Sequence, residues 1–155
     1  MAATVNLIDR EMLARMLGCA AARMRSGADE LSDIDSRFGD GDHGVTVTKI
    51  AGAIDEACAS WADAPIHDFL LAVGGGSAGP LYGTMVGGMA TAVPPDCTAI
   101  DAPMLKGLYA AMSRELSDIS PAKPGDKTMV DALEPAVVAM EANAGKGLLE
   151  MLKAA

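Results

Sequence analysis

The sequence predicts an all-α fold, and three observations support that prediction. Half of the 155 residues are hydrophobic but only 3% are aromatic, so the core must be built from Ala, Leu, Val, Ile and Met. Such a composition suits closely packed helices better than strands, which favour β-branched and aromatic residues. Apolar residues also recur at helical spacing in several segments, and no segment alternates with period two for long enough to predict a strand.

Loops marked by glycine or proline separate the predicted helices. In residues 6–25 the apolar side chains lie three and four positions apart, as on one face of a helix. Further helical segments are predicted over 31–38, 45–61, 65–71, 81–93, 101–116, from the Pro-Gly-Asp turn at 124–126 to Ala142, and over 147–155. We expect residues 1–155 to form one domain, because a chain of this length can bury its own core.

Charge and cysteine content exclude several classes of function. The net charge of −9 argues against a nucleic-acid or anionic-membrane surface, since both need clusters of Lys and Arg. No apolar run reaches bilayer-spanning length, and the N-terminal residues are acidic where a signal peptide is basic. Cys19, Cys58 and Cys97 form no metal-type or redox pair, so we expect three reduced, mostly buried thiols in a cytoplasmic protein.

An acidic, glycine-rich stretch, SRFGDGDHGVTVTKI at 36–50, predicts a metal site. Asp40 and Asp42 are two residues apart, so their carboxylates point the same way in an extended loop, and Asp35 lies within reach. Mg²⁺ takes one or two carboxylates and completes its shell with water and phosphate oxygens, so three carboxylates suffice for two ions. One alternative is a solvated turn with helix-capping aspartates. An EF-hand is disfavoured, because its twelve-residue pattern and closing glutamate are missing.

A second loop, GGGSAGPLYGT at 74–84, also leads into a predicted helix. Backbone N–H groups at a helix N-terminus bind anions, and glycines let the main chain approach a phosphate closely. Ser77 and Thr84 add hydroxyl groups, but the lysine of a Walker loop is absent. The alternative interpretation is a glycine-rich packing contact between two helices. A third loop, in SPAKPGDKTMVDAL at 120–133, likewise opens a predicted helix.

Three motifs, DIDSRFGDGDHG, GGSAGPLYGT and KPGDKTMVDAL, together resemble the nucleotide-binding subunit of dihydroxyacetone kinase, the DhaL family. The resemblance implies an antiparallel barrel of α-helices with ADP or ATP bound at one rim. It also implies that Asp35, Asp40 and Asp42 coordinate two Mg²⁺ ions that bridge to the nucleotide phosphates, and so serve catalysis. The other residues that it places at the nucleotide are His43, Gly75, Gly76, Ser77, Gly79, Thr84, Gly125, Asp126, Thr128 and Met129.

The resemblance further implies a phosphotransferase of the separate-subunit type. A DhaK-like partner subunit then holds the ketose through its own histidine, and a DhaM-like protein of the phosphotransferase system restores the nucleotide; direct use of ATP is the alternative. No nucleophile is required of this chain, because phosphoryl transfer rests on positioning and charge neutralisation. His67 is expected at the surface. A nucleotide-responsive regulatory module without catalysis is a second interpretation, and the fatty-acid-kinase branch, where threonine is expected in place of His43, is a third.

The sequence departs from the family pattern in two places. Ala78 stands where the family commonly has a hydroxyl side chain, so one phosphate contact is expected to be missing. The chain also ends at Ala155, without the family's further stretch that contains a GRA segment and a DPGA-like loop. This predicts either a partial sequence or a barrel that is incomplete relative to the eight-helix family fold.

Overall fold

Eight α-helices and one pair of very short strands occur in the described residues of the computed structural model, which are 6–75 and 79–155. The helices are α1 (Arg10–Ser26), α2 (Ala28–Asp35), α3 (His43–Ser60), α4 (Ile66–Gly74), α5 (Pro80–Met89), α6 (Ala102–Ile119), α7 (Val130–Ala142) and α8 (Leu148–Ala154). Turns of 3-10 helix cover Ala90–Ala92 and Ala144–Lys146. The all-α prediction is confirmed. None of the described helices is both long and apolar enough to cross a bilayer.

The two strands, β1 (Ile8–Asp9) and β2 (Ala99–Ile100), pair antiparallel, with Ile8 opposite Ile100. Each strand leads directly into a helix that an aspartate caps. Asp9 accepts the N–H of Met12 at 2.8 Å, and Asp101 accepts the N–H of Met104 at the same distance. The prediction of a helix from residue 6 is therefore wrong at its start, because the extended backbone at Asp9 begins the first helix only at residue 10.

Helices α6 and α7, which follow one another along the chain, run antiparallel. The Ser113 hydroxyl donates to the Glu134 carboxylate, and the Lys106 ammonium lies 3.6 Å from Oε1 of Glu141. Later residues of α6 thus meet earlier residues of α7, which is the pattern of an antiparallel pair. The antiparallel arrangement predicted for the helices holds here.

One end of the molecule gathers the starts of α1, α4 and α6 and the end of α3. Ile8 pairs with Ile100 just before α6, and the Arg10 guanidinium donates to the Ala64 carbonyl in the α3–α4 loop at 3.4 Å. The N–H of Ile66, the first residue of α4, donates to the Cys97 carbonyl at 2.7 Å. The start of α3 and the ends of α4 and α6 must therefore lie at the opposite end of the helices.

Aliphatic side chains fill the core, as the aromatic-poor composition predicts. The largest fully buried side chains are Ile8, Ile66, Ile100, Leu108, Met140, Leu148 and Met151. Trp61 and Phe69 stack at the α3–α4 turn with ring centroids 3.9 Å apart. A second, smaller cluster of Met85, Leu116, Val130 and Leu133 joins α5, α6 and α7. Each fully buried aliphatic side chain contributes about 1.5–3 kcal/mol, so both clusters stabilise the helical framework.

The three cysteines are free thiols with very different exposure. Cys97 is buried, Cys58 is partly buried and Cys19 is exposed on α1. The prediction of mostly buried thiols is therefore wrong for Cys19, because only Ala21 of its helix is fully buried. Burial and the nearby Asp55 carboxylate raise the pKa of the Cys58 thiol above its ordinary value.

Candidate functional site

The loop between α2 and α3, which we call the acidic loop (residues 36–42), brings three carboxylates together. Asp35 is the last residue of α2, Asp40 lies in the loop, and Asp42 immediately precedes α3. One carboxylate oxygen of each residue lies within 4.8 Å of the other two. The three residues predicted as metal ligands from their spacing are thus close enough to bind the same metal ion.

Hydrogen bonds from backbone N–H groups to side chains, together with two glycines, define the shape of the acidic loop and of the start of α3. The N–H of Gly41 donates to Oδ2 of Asp35 at 2.9 Å, and Gly41 has a φ of 77°, which favours glycine. The N–H of Gly44, in the first turn of α3, donates to the Ser32 hydroxyl at 3.0 Å. A side chain at Gly44 would overlap the Ala28 carbonyl, so this glycine allows α2 to pack directly against the start of α3.

The side chain of Asp42 does not cap α3. Asp42 has φ −96° and ψ 1°, and its carboxylate accepts no hydrogen bond from the first turn of the helix. Asp9 and Asp101, by contrast, have extended backbone and do cap their helices. For Asp42 the geometry therefore favours the interpretation in which the carboxylate is free for a ligand over the capping interpretation.

None of the three carboxylates forms an ion pair within residues 6–75 and 79–155, where all ion pairs found involve other residues. Asp40 and Asp42 are exposed and Asp35 is partly buried. Carboxylates this close repel one another unless a cation lies between them. A set of hard oxygen donors open to solvent fits Mg²⁺, which keeps several positions for water and phosphate. The residues present therefore fit the predicted metal.

The loop of the GGGSAGPLYGT motif between α4 and α5, here called the glycine loop (residues 75–79), is described only at its two edges. Gly75 follows α4, and Gly79, with a φ of 81°, precedes Pro80 at the first position of α5. The predicted phosphate ligands Gly76 and Ser77 lie outside the described residues. Thr84 lies in the second turn of α5 and is partly buried. The loop thus leads into a helix N-terminus, as the sequence predicts.

Other glycines of the same motif pack α4 against α5. A Cβ on Gly74 would lie 2.6 Å from Cα of Gly87 and 2.8 Å from the Gly83 carbonyl oxygen. The packing interpretation is therefore correct for Gly74 and Gly83 of the motif, which lie against each other and, for Gly74, against Gly87 farther along α5. It does not exclude the anion-binding interpretation, because Gly74 and Gly83 are not among the residues predicted to bind phosphate.

Asp131, in the first turn of α7, organises the third loop (residues 120–129, here called the PGD loop). Its Oδ1 accepts the N–H of Gly125 at 2.5 Å, and its Oδ2 accepts the N–H of Thr128 at 2.9 Å. These N–H groups hold the pKa of the Asp131 carboxyl below its ordinary value. Within the loop, the Asp126 carboxylate accepts the N–H of Lys123 at 2.8 Å.

Sequence reasoning placed four residues of the PGD loop at the nucleotide but missed Asp131. The structure shows that the N–H groups of Gly125 and Thr128 are already used by Asp131, and that Met129 packs against the smaller core cluster. The sequence predicted a helix from the Pro-Gly-Asp turn at 124–126, whereas α7 begins at Val130. That error hid Asp131, which lies in the first turn of the actual helix, where acidic residues are favoured.

The acidic loop, the PGD loop and Gly75 at the end of α4 lie at the end of the helices opposite the β1–β2 pair, since each precedes or follows a helix whose other terminus lies at that pair. His43 begins α3 directly after the acidic loop and is partly buried. His67 lies at the β1–β2 end, in the first turn of α4, with Nδ1 2.9 Å from Oδ1 of Asp68. Its side chain is 25% exposed, so the predicted surface position holds only in part.

The fold and this end of the molecule define an all-α domain that presents an acidic loop and two glycine-containing loops together. Residues 37–155 match the family model of the DAK2 domain, and the chain belongs to the DAK2-domain family. The matched range contains Asp40 and Asp42 and begins just after Asp35.

Several relatives are clearly similar in sequence. The chain is 32% identical to the ADP-binding subunit DhaL of PEP-dependent dihydroxyacetone kinase 1 from Listeria innocua, over 85% of this chain and 69% of the relative. It is 30% identical to dihydroxyacetone kinase 1 of Saccharomyces cerevisiae, over 97% of this chain but 29% of the relative. It is 33% identical to D-erythrulose kinase of Mycolicibacterium smegmatis, over 80% of this chain and 23% of the relative. The chain therefore spans only a part of each of these proteins.

Proposed function

We propose that the chain is the ADP/ATP- and Mg²⁺-binding subunit of a dihydroxyacetone-type kinase, with residues 1–155 acting as one nucleotide-binding domain. The observation that supports this most directly is the cluster of Asp35, Asp40 and Asp42, which forms no ion pair within the described residues. It lies at the same end as the PGD loop and Gly75, the described residue at the end of α4. The name of the L. innocua relative, an ADP-binding subunit, agrees with this proposal.

In this proposal Asp35, Asp40 and Asp42 would hold two Mg²⁺ ions at the nucleotide. Bound Mg²⁺ would supply neutralisation of the charge that develops on the transferred phosphoryl group. The chain's own contribution is to keep three carboxylates within 4.8 Å of one another on a loop that hydrogen bonds fix. His43 faces the nucleotide from the first turn of α3.

The glycine and PGD loops complete the proposed nucleotide site. Its remaining members are Gly75, Gly76, Ser77, Gly79 and Thr84 from the glycine motif, and Gly125, Asp126, Thr128 and Met129 from the PGD loop. The amides of Gly125 and Thr128 are engaged by Asp131, so we assign the PGD loop a contribution through its side chains and its shape. For Met129 the assigned role is to anchor the loop on the core.

We further propose that the ketose is held by a second, DhaK-like subunit. A DhaM-like phosphoryl donor then restores the nucleotide, in keeping with the PEP dependence in the name of the L. innocua relative. The substrate class, a short ketose such as dihydroxyacetone or erythrulose, follows the names of the relatives. Without a nucleophile of its own, the chain positions the donor and its partner positions the acceptor.

Calorimetric titration of the chain with ADP tests the metal-dependent site. We expect binding with Mg²⁺ present and a large loss of affinity in EDTA, because three carboxylates repel a polyphosphate that arrives without a cation. Asp33→Asn, an exposed carboxylate of α2 outside the cluster, is the matched control and should leave the affinity unchanged. Equal affinity with and without EDTA would contradict the proposed metal bridge.

Reconstituted transfer tests catalysis separately from binding. The chain is mixed with a DhaK-type subunit, a phosphoryl donor and dihydroxyacetone, and ketose phosphate is measured. Product formation that depends on the chain supports the kinase subunit. Tight Mg·ADP binding with no product under any donor would instead favour the nucleotide-responsive regulatory module.

A further inference from the structure

The PGD loop contains one residue in an unusual backbone conformation. Lys127 has a φ of 61°, in the left-handed region that residues other than glycine, asparagine and aspartate rarely adopt. Among the described residues it is the one non-glycine residue with positive φ. Such a conformation persists only where the surrounding structure holds it, and it concentrates at functional sites.

Asp131 supplies the contacts that hold this conformation. Its two carboxylate oxygens accept the N–H groups of Gly125 and Thr128, which lie on either side of Lys127 in the sequence. The φ of 100° at Gly125 belongs to the same turn. A carboxylate bonded to two amides fixes the turn on both sides of Lys127, and hydrogen bonds to a charged acceptor are stronger than neutral ones.

The loop has few groups left with which to meet a ligand. The amides of Gly125 and Thr128 are used by Asp131, and the Asp126 carboxylate is used by the N–H of Lys123. The ammonium groups of Lys123 and Lys127 are both exposed and take part in no ion pair within residues 6–75 and 79–155, and Lys127 is the one that lies between the two amides held by Asp131. Lys127 lies on a loop at the end of the molecule that also presents the three clustered carboxylates.

We infer that Asp131 is a positioning residue of the nucleotide site, and that it holds the PGD loop so that the Lys127 ammonium contacts the nucleotide phosphates. The inference rests on the proposed function, because it needs a nucleotide at this end of the helices. A cation here also fits the chemistry, since a polyphosphate brings more negative charge to a chain that already has a net charge of −9. Lys127 is then a ligand-binding residue, and Asp131 acts only through it.

Affinity for Mg·ADP, measured by calorimetry on the whole chain, tests both residues. Asp131→Asn keeps one acceptor oxygen but presents an NH₂ group to the second amide, so one hydrogen bond is lost and the turn loosens. Lys127→Met keeps the length of the side chain and removes its charge. We expect each variant to bind Mg·ADP about tenfold more weakly, the scale set by one charge-assisted hydrogen bond. The matched controls are Asp118→Asn, an exposed carboxylate near the end of α6, and Lys146→Met, an exposed ammonium in the second 3-10 turn.

The double variant, Asp131→Asn with Lys127→Met, separates positioning from a general structural effect. If Asp131 acts through Lys127, the double variant should bind hardly more weakly than Lys127→Met alone. A purely structural role for Asp131 predicts that the two losses add. Additive losses, or a wild-type affinity in either single variant, would overturn the inference.

Mn²⁺ binding in the absence of nucleotide distinguishes this failure from failure of the proposed function. Water-proton relaxation should show the same Mn²⁺ affinity in the wild type and in both single variants, because neither residue belongs to the acidic loop. Loss of Mn²⁺ binding in Asp131→Asn would show a wider structural defect and refute the positioning role. A wild-type chain that binds no Mg·ADP refutes the proposed function, and the inference with it.

Discussion

Replacing Asp42 by asparagine tests most sharply whether the Asp42 carboxylate binds a metal ion or stabilises the fold. The substitution preserves the shape of the side chain and removes one charge from the cluster of Asp35, Asp40 and Asp42. The Asp42 carboxylate accepts no capping hydrogen bond from α3, while its backbone carbonyl accepts the N–H of Thr46 and is unaffected. Asparagine should therefore cost the metal-free fold nothing in hydrogen bonding.

The expected gain in the metal-free state follows from the separation of the carboxylates. Two unit charges 4.8 Å apart repel by about 0.9 kcal/mol at the dielectric constant of water. The substitution removes two of the three repulsions in the cluster, and physiological salt screens roughly half of that energy. We expect Asp42→Asn to raise the free energy of unfolding by about 1 kcal/mol, which is roughly 2–4 °C in Tm for a chain of this size.

Ligand should reverse this order of stability. Wild type gains about 2.7 kcal/mol when Mg·ADP is at one hundred times its Kd, and the variant gains much less because it has lost a ligand charge. Melting curves of both proteins, each with and without Mg·ADP, measure all four values, and Asp33→Asn serves as the charge control. The reasoning is refuted if Asp42→Asn melts below wild type without ligand and still gains as much from Mg·ADP. Phosphoryl transfer, if reconstituted, should be lost while the helical circular dichroism stays.

Three further predictions concern single positions. Gly44→Ala should lower the free energy of unfolding by about 1–3 kcal/mol in chemical denaturation, because its methyl group overlaps the Ala28 carbonyl; Gly52→Ala, with open space in the same helix, should be neutral or slightly stabilising. The Asp131 carboxyl has a pKa below its ordinary value of 3.8 in the fold, so its stabilisation is complete above that value and is lost as pH falls through the lowered pKa. Asp131→Asn should therefore flatten the acid limb of stability against pH, and an unchanged limb would contradict the hydrogen bonding. A thiol reagent should modify the exposed Cys19 first and the buried Cys97 last. Cys19→Ser should therefore abolish the fast phase of the modification reaction.

Local signals in the sequence were sufficient for most of the helices and for the acidic loop. Helical spacing of apolar residues predicts helices whose central residues are helical in the structure. The close spacing of Asp35, Asp40 and Asp42 in the sequence predicts the carboxylate cluster that the fold brings together. The start of α1 was not predictable in this way. Residues 8–9 are extended and pair with residues 99–100, some ninety positions along the chain, and the helix that Asp9 caps begins only after them.

The same limit explains why Asp131 escaped prediction while Asp42 did not. A cluster of acidic residues within eight positions is visible as a pattern, because repulsion among them has to be compensated whatever the fold. The role of Asp131 depends on the direction in which two amides point, and that direction is set by a turn with positive φ at Gly125 and Lys127. Glycine is favoured in such a turn, but lysine is not, so propensity alone argues against the conformation that the loop adopts. Lys127 opposes the local backbone preference and is held in place by the Asp131 carboxylate. Backbone preference alone would favour glycine at this position, so the lysine points to a functional constraint.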